Sequence, residues 1–131
     1  MLPISTLLSG IRTAEGLLSK VLGKRGTRLD HKIAAVVALQ KAINATQAFL
    51  VQSDMTYHPN EALSHLWLDA FEKMIRIDKS LARDLRAASN FWSNPQLWLQ
   101  EKSAMELVPD LRELNERCEQ ILIELEKRLK R

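Results

Sequence analysis

The stretch NEALSHLWLDAFEKMIRIDKSLARDLRAAS, residues 60–89, carries the reading of the fold. Leu63, Trp67, Ala70, Met74, Ile77, Leu81 and Ala88 fall on one heptad line, interrupted only by Asp84. Glu72, Lys73, Arg76, Lys79, Arg83 and Arg86 cover the remaining faces. That spacing predicts a single long amphipathic helix. The segment SDMTYHPNE (53–61) breaks the pattern upstream, and Pro59 is placed to open the helix.

Working outward, residues 28–50 are apolar on nearly every face. Ile33, Val36, Ile43 and Leu50 form one stripe, and Ala35, Ala38, Ala42 and Ala45 form another of small residues that permit close approach. This predicts the most buried helix, with Thr27 as its cap and Asp30 in a box-like role three residues on. Before it, Ile4, Leu7, Leu8, Ile11, Leu18, Val21 and Leu22 mark an N-terminal helix. Pro3 suits its first turn, Gly23 its end, and Lys20, Lys24 and Arg25 lie where a helix dipole favours cations. At the C-terminal side, Leu107, Leu111, Leu114, Cys118, Ile121, Leu125 and Leu129 mark a last helix, which Pro109 should start or kink.

There is no internal repeat, low-complexity tract or alternating strand pattern. The predicted fold is all-α: one domain over residues 1–131, an up-down four-helix bundle with a short helical and aromatic connection between its third and fourth helices. At 131 residues the chain is long enough to bury most of its unfolded surface. Its composition, 46% hydrophobic and 27% charged, is that of a globular protein.

That connection, SNFWSNPQLWLQEKS (89–103), holds Phe91, Trp92 and Trp98 around an Asn-Pro turn. In the predicted topology it shares one end of the bundle with the basic loop GKRGTR (23–28). Leu97, Trp98 and Leu99 are consecutive and cannot all face one way from a helix. Two readings follow. The aromatics close the bundle floor, or Phe91, Trp92 and Trp98 join Lys24, Arg25 and Arg28 in a contact surface, a composition that suits interface centres. Gln40, Gln47 and Asp84 intrude on apolar lines. They are either half-wet boundary positions or a polar layer that sets register within the bundle or against another chain.

Chemistry-bearing patterns are missing. GKRGTR lacks the strand and spacing of a phosphate loop, and no Ser-His-acid pattern is recognisable. Cys118, the single cysteine, excludes an internal disulfide and lies on an apolar stripe, as a buried inert thiol would. Glu61, His65 and Asp69 share a helix face but do not make the paired Glu-x-x-His pattern of di-iron bundles. The expectation is no catalytic residue, no cofactor and no metal.

Net charge is +3, unevenly spread. Arg12, Lys20, Lys24, Arg25, Arg28 and Lys32 face only Glu15 and Asp30 over residues 1–34, whereas residues 101–126 are acidic and the terminal KRLKR is basic again. A bipolar surface weakens a nucleic-acid reading. The start of the chain lacks the pattern of a secretory signal, and the longest unbroken apolar stretch, Ile33 to Leu39, is too short for a bilayer, so a cytoplasmic location is expected. The function expected is a non-catalytic interaction module: an adaptor, regulator or small subunit with a protein partner or a second copy. The alternatives are a membrane-surface or membrane-inserting bundle and a nucleic-acid-associated subunit. The glycine-containing amphipathic first helix resembles, in architecture alone, that of the cell-death effectors, which implies insertion into lipid.

Overall fold

The computed structural model describes residues 21–54, 58–94 and 104–130, with backbone alone for 104–107. The chain is all-α. Its described helices are α1 (Leu29–Gln52), α2 (Glu61–Met74), α3 (Lys79–Ser93) and α4 (Ala104–Leu129). Residues 21–23 are the end of a further helix that closes at Gly23, as the sequence indicates. The rest of the predicted N-terminal helix lies outside the described residues.

The long helix expected over residues 60–89 is two helices. Asp78 makes the break: its backbone N–H closes on Met74 O (2.9 Å), ending α2, while its carboxylate accepts the Leu81 N–H (3.0 Å) as the N-cap of α3. An aspartate cap satisfies one of the donors that a helix start leaves open, and so competes with continued helix. The chain then folds back. Asn60 N donates to Trp92 O at 3.0 Å, which sets the start of α2 against the end of α3. The heptad line stays buried all the same, from Leu63, Trp67, Ala70 and Met74 to Ile77, Leu81 and Ala88. Its two halves face one core from antiparallel helices.

Smaller corrections concern helix starts. Arg28, not Thr27, is the N-cap of α1 and makes no side-chain cap bond; Asp30 pairs with Arg28 (3.0 Å) instead of reaching back to a cap. Asn60, one residue after Pro59, caps α2 by accepting the Leu63 N–H. Pro109 lies within the second turn of α4 rather than at its start.

Successive helices alternate in direction. Thr46 of α1 meets Trp67 of α2, and Gln40 of α1 meets Glu119 of α4. The packing order is α4–α1–α2–α3, so α1 lies between two neighbours, as its all-round apolar sequence requires. α1 is also long and apolar enough to cross a membrane by length and composition. Here Ala35, Val36, Leu39, Ala42, Ile43 and Leu50 are wholly buried in the protein core.

The helix end at Gly23 is held by cations from elsewhere. Lys32 Nζ donates to Lys24 O (2.8 Å) and Leu22 O (3.3 Å), and Arg128 Nη1 donates to Leu22 O (2.6 Å). These carbonyls have no partner within their own helix and carry its partial negative charge. Lys32 is buried, and that burial, with Arg128 nearby, lowers its pKa below the usual lysine value.

Candidate functional site

The added reversal at Ile75–Asp78 rearranges the predicted contact surface. Phe91 and Trp92 end α3 at the pole of the molecule where α1 ends. There Trp92 packs edge-on against Phe49 of α1 (centroids 5.7 Å, 88°) and Phe91 (5.1 Å, 88°). Both Phe91 and Trp92 are fully buried. Lys24, Arg25 and Arg28 are exposed at the start of α1, about 30 Å away along that helix from Phe49. Phe91 and Trp92 therefore lie at the opposite end from Lys24, Arg25 and Arg28 and do not share a surface with them. Trp98 lies outside the described residues.

The other aromatic anchor is also core. Trp67 is wholly buried, and its indole N–H donates to Thr46 Oγ1 (3.0 Å), which in turn donates to Ala42 O (2.7 Å). That chain satisfies two buried polar groups in sequence.

The polar intrusions have separate surroundings. Gln40 Nε2 donates to Glu119 Oε2 at 2.8 Å across the α1–α4 seam. Gln47 is half-buried on the same seam, and its Nε2 has no hydrogen-bond partner among the described residues; the same holds for Asn115 Oδ1 of α4. Asp84 is half-buried. Its burial raises the carboxyl pKa above the ordinary aspartate value, against the pull of Arg83 and with a push from Asp78. Glu61, His65 and Asp69 do not converge: Asp69 turns to Lys73 (2.7 Å), and His65 is 3.8 Å from Glu61. No cluster of three or more His, Cys, Asp or Glu ligands occurs among the described residues. Cys118 is buried between apolar neighbours, which pushes its thiol up to about 12.

A different surface emerges on the α2–α3 hairpin. Lys79, Arg83, Arg86 and Asn90 are exposed at 4-3-4 spacing, so they form one line along the outside of α3. No acidic side chain shares that line, and none of the three cations makes an ion pair among the described residues. Arg86 lays its guanidinium over the ring of Phe71 of α2, 5.3 Å from the centroid. Leu68 and Ile75 flank Phe71 by three and four residues on α2 and are 39% and 43% exposed. The result is a cationic ridge beside a partly exposed apolar strip. On one long helix these cations are spread over the remaining faces; they align because they belong to α3, which starts at Asp78.

α4, at the other end of the packing order, is of mixed sign, with Arg112 and Lys127 exposed on it as well as glutamates. α4 exposes Glu113 and Glu116, with Ile123 48% exposed on the same outward side. Comparison with known proteins finds no matching family model, no curated relative and no similar solved structure.

Proposed function

We propose that this chain is a non-catalytic helical interaction module, an adaptor or small subunit that docks a protein partner through the outer face of the α2–α3 hairpin. The observation that carries this reading is the ridge of Lys79, Arg83 and Arg86, which has no acidic side chain on its own line and makes no ion pair among the described residues, set beside Leu68 and Ile75. An isolated exposed leucine means little. Apolar side chains held next to arginines that make no ion pair among the described residues match the composition of an interface centre. The face replaces the aromatic-basic surface expected from sequence. The same reading keeps the expected cytoplasmic setting and takes no cofactor.

The test is site-specific photo-crosslinking in the native host. A crosslinkable residue at Ile75 should give a discrete protein adduct that disappears when Arg83 and Arg86 are reversed to Glu. The same residue at Val51, which is 63% exposed on α1, should give none. Equal labelling at both positions, or no adduct at Ile75, contradicts the reading.

A further inference from the structure

We propose that the occupant of the α2–α3 face is a short amphipathic helix of another protein, apolar on its seam and acidic along the flank that meets α3. The inference rests on the interaction reading above and names the chemistry of the partner. Its basis is the way charge is sorted across that face. At about 100° per residue, Phe71, Ile75, Leu68 and Glu72 follow one another round α2 in steps of about 20–40°. Phe71 lies on the α3 side, under Arg86; Ile75 and Leu68 come next, partly exposed. Beyond them α2 turns mixed, with Glu72 and Arg76 exposed. One edge of the apolar strip is therefore cationic throughout, and the other has no single sign. Asp84, the acid next to Arg83 in α3, is half-buried, about 100° round the helix from it, and makes no ion pair with it.

The ridge and the strip run side by side. Asn60 meets Trp92 and Phe71 meets Arg86, so Leu68 lies near the level of Arg86 and Ile75 near that of Lys79. Each line covers about two helical turns, or about 10 Å. Leu68 and Ile75 repeat at the heptad spacing along which one helix receives the side chains of another. Acids on the occupant at i, i+3 or i+4, and i+7 match Arg86, Arg83 and Lys79 one for one. The occupant's backbone favours a helix as well. α2 and α3 use their own N–H and C=O groups internally, so an extended segment laid over the strip would cover backbone groups that nothing here can pair; a helix pairs its own. Nucleic-acid phosphates would engage the cations but gain nothing from Leu68 and Ile75.

The experiment is fluorescence anisotropy of the purified full chain with labelled, Ala-based helical peptides of about 18 residues. One peptide carries Leu along its seam, Glu on one flank and Lys on the other. A second has the same composition with Glu and Lys interleaved on both flanks. The sorted peptide should bind at least about fivefold more tightly, because it alone can turn an all-acid flank to α3. R83Q/R86Q should lose most of that preference. Wild type should favour a peptide with Glu on both flanks over one with Lys on both, and R83E/R86E should reverse the order. Ile75→Ser, which changes no charge, should also weaken the sorted peptide at least about fivefold. Circular dichroism confirms that each variant is folded. Equal binding of the sorted and interleaved peptides overturns the proposal, as does no binding of either at millimolar concentration. Binding that ignores Ile75→Ser overturns it too, because that is adsorption of charge alone. So does tighter binding to phosphatidylserine vesicles or duplex DNA than to the sorted peptide, through Arg83 and Arg86. A discrete protein adduct at Ile75 in the host, with no preference between the peptides, refutes the acidic helix and leaves the interaction reading standing. No adduct in the host sinks that reading itself.

Discussion

The α2–α3 seam and the α1–α4 seam both bury polar side chains in otherwise apolar packing, and they treat them differently. Between α2 and α3, Ser64 Oγ donates to Ser89 O (2.9 Å) and Ser89 Oγ donates to Ser64 O (2.8 Å), while Ser93 Oγ lies 2.9 Å from Ser64 Oγ. Every hydroxyl has a partner, and the reciprocal pair requires the two backbones to be close and in a single register. Between α1 and α4, the exposed Gln40–Glu119 bond crosses the seam, and Gln47 and Asn115 each keep a buried amide atom without a partner among the described residues. Buried polar groups that are fully paired specify a geometry; those left unpaired cost stability. The hairpin is thus the specified part of the molecule, and it carries the proposed interface. The α1–α4 seam is held by its apolar side chains and tolerates its polar ones.

That contrast predicts a ranking. The largest effect belongs to Trp92, where the hairpin meets the end of α1. Trp92→Ala should cost about 3–5 kcal/mol, read as a lower melting temperature and denaturant midpoint. A near-wild-type melt would remove the aromatic end from the core.

An intermediate effect separates the two seams. Ser64→Ala leaves the carbonyl of Ser89 and the hydroxyl of Ser93 with one partner fewer and should cost about 1–3 kcal/mol. Gln47→Leu removes a buried amide nitrogen without a partner among the described residues and fills the same seam with apolar atoms, so its stability should stay within about 1 kcal/mol of wild type or rise. Denaturant melts of both variants decide the matter, and the reverse order would break the comparison.

The smallest effect is pH-dependent. The folded pKa of Asp84 is raised by burial, so the folded protein holds that proton more tightly than the unfolded chain does. Its contribution to stability therefore falls as pH rises from the ordinary aspartate pKa through the raised folded value, and the penalty is complete above that value. Asp84→Asn should flatten the melting profile over this interval and leave neutral-pH stability equal or slightly higher. A variant less stable at neutral pH would mean that the carboxylate makes a net favourable contact.

Much of the fold is legible in the sequence because burial follows periodicity. The heptad residues of 60–89, the two stripes of α1 and the stripe from Leu111 to Leu125 in α4 are all in the core or packed against it. The end at Gly23 is legible as well, and Gly26, at φ +81, supplies a turn conformation that other residues rarely adopt. The reversal at Asp78 is not. Residues 60–89 contain neither Gly nor Pro, and a heptad line cut in two keeps its spacing when both halves face one core. Only the capping tendency of Asp78 marks the break, and many aspartates cap nothing. The serine contacts are hidden for the same reason, since Ser64 is 25 and 29 residues from Ser89 and Ser93 and meets them only after the chain turns back. So is the site: one missed reversal places Trp92 beside the basic loop and disperses the cations of α3 over a longer helix.

The most direct test is therefore a distance across that reversal. Spin labels at Ala62 and Asn90, both exposed, report it without interference from Cys118, whose buried thiol resists labelling. In the hairpin the two positions lie at the same level on adjacent helices, and packed helix axes lie 8–10 Å apart, which predicts a separation of roughly 15–30 Å for outward-pointing labels. A single continuous helix would hold them about 42 Å apart, at 1.5 Å per residue. The short distance is the predicted result; a distribution centred near the long one would contradict the hairpin, and with it the face proposed for binding.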